Sequence, residues 1–181
     1  MTHFGDRLTE ANRRTATPLC MGIDPHISMI PAIFGNAQDG AGSDAAIRAI
    51  DDFSMACLEQ AIGTVAAIKP QAAFFEQQGP AGMQILQNLG RAAIDAGLLV
   101  IMDAKRGDIG STSTAYAAGW IGHDAPFPSD ALTVNPWLGI DTLAPFLERA
   151  DASGSGLFIL NRTSNPGAGD LQDQLVDGQP L

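Results

Sequence analysis

The chain has 181 residues, 45% hydrophobic and 17% charged, which suits one soluble globular domain with a proper core and argues against disorder. Its formal net charge of −10 has the wrong sign for a nucleic-acid binder, which needs Lys and Arg for phosphate contacts, yet a few local cations could still hold a small anionic substrate. No apolar run approaches the ~20 residues of a membrane span, so no membrane partner is expected.

Residues 1–14 are polar, with Asp6, Arg7, Glu10, Arg13 and Arg14, and lack the apolar stretch of a signal peptide. A helix is expected over about 3–14, and a cytoplasmic location for the protein. Residues 19–23 read as a buried strand. Residues 44–62 read as a helix, because Ile47, Ile50, Phe53, Ser54, Cys57 and Leu58 recur at three- and four-residue spacing. Cys20 and Cys57 lie in apolar stretches and read as buried free thiols of a reducing compartment; no CxxC or Cys/His cluster suggests zinc. A second strand is expected at 65–68, a helix at 81–96 stopped by Gly97, and a third strand at 98–102. A helix at 111–121 has Ser111 or Thr112 as candidate N-caps. A fourth strand at 131–134, a helix at 140–150 and a fifth strand at 156–160 follow. Residues 165–181, rich in Gly, Asp, Gln and Pro, read as a loop or poorly ordered tail.

Strands alternating with helices imply a parallel sheet with right-handed crossovers. Strands that are apolar almost throughout imply cover on both faces. A doubly wound sheet and a (β/α)8 barrel both fit. The first strand-to-helix loop lacks the GxGxxG of a dinucleotide fold. Asp24, Lys69, Asp103 and Asn135 instead stand just past strand ends, where a barrel gathers its active site. The expectation is one α/β domain over 1–181, a TIM (β/α)8 barrel with only about the first five β/α units present. Such a barrel typically needs about 250 residues, so the chain reads as a C-terminally truncated piece of a longer protein.

Asp103 and Lys105 are two apart at a strand end, and period-two geometry puts them on one face. Lys69 ends the neighbouring strand, ~4.8 Å away, and Asp108 follows in a turn flanked by Gly107 and Gly110. A chain of alternating charge, Lys69–Asp103–Lys105–Asp108, is therefore possible. Buried ion pairs are poor stabilisers, because each ion costs several kcal/mol to desolvate. Two Lys and two Asp in one barrel mouth are better explained by function.

The run Asp103-Ala104-Lys105-Arg106-Gly107-Asp108-Ile109-Gly110-Ser111-Thr112 resembles the Asp-x-Lys-x-x-Asp signature of the orotidine 5'-monophosphate decarboxylase family. Gly22-Ile23-Asp24-Pro25, Ile68-Lys69-Pro70 and Thr163-Ser164-Asn165-Pro166-Gly167 agree with it, in order, at strand ends. The resemblance covers about 4–169 and is greatest to the bacterial type 2 subfamily. It implies decarboxylation of orotidine 5'-monophosphate to uridine 5'-monophosphate, the last step of de novo pyrimidine biosynthesis, with no metal, flavin, pyridoxal or other cofactor. By the same resemblance Lys105 protonates C6, Asp103 lies against the substrate carboxylate, and Lys69 and Asp108 complete the charged array. Asp24 binds a ribose hydroxyl and Ser164 the pyrimidine amide edge. The resemblance also implies a homodimer, with Asp108, Ile109 and Thr112 serving the partner subunit's site. The family's phosphate-gripping loop and Arg lie after the sixth to eighth strands, so this chain alone is expected to be inactive or nearly so.

Other residues carry less. His26 and His123 read as solvated or capping loop residues, Glu76 as structural, and Tyr116 as packing or a dimer contact. Arg162 could steer an anion, and Trp137 could line the mouth or cover the rim. Among competing readings, a keto-sugar-phosphate decarboxylase of the same superfamily resembles a magnesium enzyme with Glu in place of Lys69, and a Lys cannot help bind magnesium. A Schiff-base aldolase wants a less anionic setting for its Lys. An inactive fragment is the third alternative.

Overall fold

The strand order decides between the two candidate architectures. In the computed structural model, which describes residues 2–180, strands β1 (Cys20–Ile23), β2 (Ala67–Pro70), β3 (Leu99–Arg106), β4 (Ala131–Val134) and β5 (Gly156–Ile159) pair in parallel in the order β1-β2-β3-β4-β5. A doubly wound sheet reverses its direction of growth and leaves an early strand in the middle. Here every strand adds to the same edge. Right-handed crossovers then place all the connecting helices on one face, and the opposite face is the inner wall of a barrel. The chain forms four β/α units and a fifth strand of a (β/α)8 barrel, with β1 and β5 at the two ends of the sheet.

Helix α1 (Phe4–Thr15) precedes the sheet; α2 (Asp44–Ala61), α3 (Ala72–Glu76), α4 (Gly79–Asp95), α5 (Gly110–Trp120) and α6 (Ala144–Ser153) connect the strands. Two apolar clusters follow the period-two alternation of the strands. Ile68, Val100, Met102, Leu132 and Val134 pack outward with Phe75, Leu86, Leu89 and Phe146 of the helical layer. Ala67, Leu99, Ile101 and Ala131 point inward and meet Phe4 and Ala11 of α1, which closes the N-terminal end of the wall. Gly156 permits this closure, because a Cβ there would stand 2.4 Å from the Phe4 ring. Lys69, Asp103 and Thr133 continue the inward set one step toward the C-terminal end of the strands.

Several local expectations differ from the structure. Strand β1 is largely exposed rather than buried, and so is Cys20, while Cys57 is half-buried. The cause is position: β1 is a sheet edge, and Cys20 alternates with Met21 and Ile23, which take the covered face. Strand β3 runs on through the Asp-x-Lys motif to Arg106 instead of stopping at Met102. Helix α5 starts at Gly110 with no side-chain cap; Ser111 and Thr112 fall inside its first turn. The helix expected at 140–150 is a 3₁₀ turn (Ile140–Leu143) followed by α6, whose Pro145 suits a helix start. The 165–181 stretch is not featureless. It carries a 3₁₀ turn (Pro166–Asp170) and a small hairpin of β6 (Leu175–Val176) and β7 (Gln179–Pro180). Asp177 and Gly178 at its tip have φ of 53° and 78°, the Asp-Gly chemistry of a two-residue hairpin turn.

Candidate active site

Three charged side chains converge on the inner face at the C-terminal strand ends. Lys69 Nζ of β2 donates to Asp103 Oδ2 at 2.8 Å, and Lys105 Nζ donates to Asp103 Oδ1. One carboxylate thus holds two ammonium groups, one from its own strand and one from the neighbour. Asp103 is buried, at 6% exposure, whereas the Lys69 and Lys105 side chains are 36% and 43% exposed and face the mouth. Burial by itself would push the Asp103 carboxyl up. The hydrogen bonds and charges of Lys105 and Lys69 more than offset it and hold the carboxyl below its ordinary value.

The local backbone is unusual. In the β3–β4 pair, Met102 faces Leu132 and Arg106 faces Val134. Residues 103–105 therefore stand opposite Thr133 alone, an irregular bulge with two residues too many. Lys105 adopts φ +48°, a left-handed conformation that costs an L-residue roughly 1–2 kcal/mol. Such strain persists where surrounding contacts enforce it, and it clusters at functional sites. Thr133 Oγ1 accepts the N–H of Ala104 at 3.0 Å and of Lys105 at 2.8 Å, and lies 3.1 Å from Asp103 Oδ1. On the outer side, the Arg106 guanidinium pairs with Glu76 and lies 4.6 Å from the Trp120 ring centroid and 5.5 Å from that of Tyr116. Gly107 follows because a Cβ there would meet the Asn135 carbonyl at 2.7 Å.

The remaining candidates are arranged differently. Asp108 does not join the charged chain; its Oδ1 accepts its own neighbour's N–H, from Ile109, at 2.7 Å. Ile109 is 62% exposed and Thr112 is exposed on the first turn of α5. Asp24 follows β1, exposed on the same rim. Ser164 is exposed beyond β5, in a stretch pinned by Thr163, whose N–H reaches Gln172 Oε1 at 2.7 Å. Trp137 lines an open recess of about 590 Å³ with Asn135, Pro136, Leu160 and Thr163, at the ends of β4 and β5. Arg162 is not a spare cation, because Asp173 takes its Nε and Nη2 at 2.7 and 2.9 Å. His26 packs on Phe74 with ring centroids 4.1 Å apart. Among the described residues, no group of three or more His, Cys, Asp or Glu is arranged to hold a metal ion.

Such a rim can present fixed ammonium groups to a developing anion, in a setting that costs little reorganisation. Residues 17–180 match the model of the Orotidine 5'-phosphate decarboxylase / HUMPS family. An orotidine 5'-phosphate decarboxylase of Rhodopirellula baltica is 44% identical over 100% of this chain and 61% of its own length. One from Streptomyces coelicolor is 47% identical over 95% and 59%. A Streptomyces avermitilis crystal structure described as an orotidine 5'-phosphate decarboxylase superimposes with a TM-score of 0.87 at 44% identity, over 100% of this chain and 61% of that one. The Leishmania donovani OMP decarboxylase gives 0.77 at 33%, over 99% and 62%. The chain therefore spans about three fifths of the length of the relatives it matches.

Proposed function

The chain belongs to the Orotidine 5'-phosphate decarboxylase / HUMPS family, and on that premise we propose that it carries the catalytic rim of an orotidine 5'-monophosphate decarboxylase. The supporting observation is the Lys69–Asp103–Lys105 group, with two partly exposed ammoniums bonded to one buried carboxylate at the barrel mouth. In the reaction the bond from C6 to the carboxylate breaks, carbon dioxide leaves, and the electron pair stays on C6. Lys105 faces that charge as a fixed cation and then gives C6 its proton, yielding uridine 5'-monophosphate; solvent reprotonates the amine. Asp103 directs Lys105 and lies against the departing carboxylate. Lys69 holds the other carboxylate oxygen in place and, with Asp24, lies near the ribose; Ser164 serves the pyrimidine edge. No cofactor enters these steps. A magnesium-dependent keto-sugar reading is disfavoured by Lys69, which sets an ammonium against Asp103 where a divalent ion would need a free carboxylate.

The working enzyme is a cytoplasmic homodimer in this reading, acting in pyrimidine biosynthesis. Asp108, Ile109 and Thr112 are exposed or half-exposed and unengaged with their own Lys105, which suits service in a partner's site. Phosphate recognition belongs to the part of the relatives' length outside this chain, so the chain alone should turn over substrate poorly. Subunit complementation tests the proposal in a chimera completed with the rest of the Rhodopirellula baltica relative. Lys105→Ala and Asp108→Ala should each be nearly inactive. Mixed, refolded subunits should recover about a quarter of wild-type activity, because half the dimers are hybrids with one intact site (from random 1:2:1 pairing). No recovery on mixing would refute the shared site, and full activity of Lys105→Ala would refute the chemistry.

A further inference from the structure

We propose that Thr133 is a positioning residue that holds the bulge 103–105 in the form that presents Lys105 and Asp103 to substrate. A bulge that sets three residues against one loses ladder partners for its backbone. Two of the amides involved, those of Ala104 and Lys105, are recovered by one atom, Thr133 Oγ1. A hydroxyl has two acceptor positions and one proton. The two amides fill the acceptor positions. The proton has two candidate acceptors, Asp103 Oδ1 at 3.1 Å and the Met102 carbonyl at 3.5 Å, and the carboxylate is the nearer. Thr133 is itself buried, so water does not compete for these bonds.

The contacts close a ring. The Lys105 backbone is fixed to Thr133, the Lys105 ammonium to Asp103, and the Asp103 carboxylate to Thr133 again. The positive φ of Lys105 is thereby enforced from inside the barrel, while Arg106 anchors the outer side on Glu76 and Trp120. A strand residue one position off in parity would place its side chain on the helical face, so β4 can supply this hydroxyl only from position 133. Valine has the shape of threonine without the three polar bonds. Serine keeps all three.

The inference rests on the decarboxylase reading for its catalytic meaning, and the test separates the two. Amide exchange and ¹³C carboxyl titration are followed by NMR on the 181-residue chain, wild type, Thr133→Val, Thr133→Ala and Thr133→Ser; kcat and KM are measured in the completed chimera. Thr133→Val and Thr133→Ala should speed exchange at Ala104 and Lys105 at least tenfold, while Val100, bonded to Asp130, stays within threefold. They should also move the Asp103 titration upward, since a bond to the ionised form is lost. In the chimera kcat should fall at least tenfold with KM within threefold, and Thr133→Ser should restore all three readouts. Unchanged exchange and titration in both hydroxyl-lacking variants would overturn the inference whatever the activity. Changed exchange with intact kcat would overturn it too. A wild-type chimera without turnover would instead remove the decarboxylase reading, leaving the NMR result to judge the bulge. If Thr133→Val fails to fold, Thr133→Ala carries the same comparison.

Discussion

The two ends of the barrel wall each bury an aspartate against basic side chains, and they use it in opposite ways. At the N-terminal end, Asp130 is 1% exposed and accepts from Arg7 of α1, from His123 Nε2 at 2.8 Å, and from the Val100 N–H of β3 at 2.8 Å. The Arg7 guanidinium is further tied to the Gly154 carbonyl at 3.0 Å. Every partner is a different segment, so this carboxylate fastens α1, β3 and the turn before β4 together. At the C-terminal end, Asp103 accepts from two lysines whose ammoniums each have three donors and give it one. Neither ammonium has a second hydrogen-bond partner among the described residues, and both side chains are partly exposed. A carboxylate that bonds a backbone N–H directly and a backbone carbonyl through its arginine marks a structural ion pair, and one whose two cations bond nothing else is prepared for a ligand.

Asp130→Ala should give the larger stability loss. It orphans the buried Val100 N–H and releases Arg7, so about 2–4 kcal/mol should disappear in urea unfolding. A loss below about 1 kcal/mol would mean that the N-terminal end is not the structural one. At the other end, the effect should be smaller and should depend on pH. The Asp103 carboxyl is held below its ordinary value in the fold, so its contribution is fully present above the unfolded value, near pH 4, and is lost as pH falls through the lower folded value. Tm should therefore fall less steeply between about pH 4 and pH 2 in Asp103→Asn than in wild type. The difference should shrink in high salt, because both lysines are partly exposed. Identical slopes would show that the lysines do not favour the ionised carboxylate.

The legibility of the sequence divides along the same line. Alternating apolar runs and helical periodicities mark five strands with helices between them, and the period-two rule puts Lys69 and Asp103 on one face, because these are local signals read through a repeating topology; Lys105 joins them through a bulge that the rule does not describe. The bulge was not legible: nothing in Asp-Ala-Lys-Arg announces a left-handed lysine, and the hydroxyl that enforces it lies 28 residues on from Lys105 in an otherwise apolar strand. The Arg7–Asp130 contact spans 123 residues and left no mark in either segment. The exposure of Cys20 is not legible either, because its sequence neighbours are apolar while its strand is a sheet edge. The Asp177-Gly178 hairpin turn was readable in principle, but strands of two residues give no periodicity to flag it.

The most direct test of the division between the two ends is the turnover of orotidine 5'-monophosphate by Lys105→Ala in the completed chimera, with its Tm recorded on the same sample. Loss of general-acid catalysis should lower kcat by about 10²–10⁴-fold, with Tm close to wild type, because Lys105 is exposed and fastens no second element. A rate within tenfold of wild type would contradict the assignment of the chemistry to Lys105 and to the C-terminal rim.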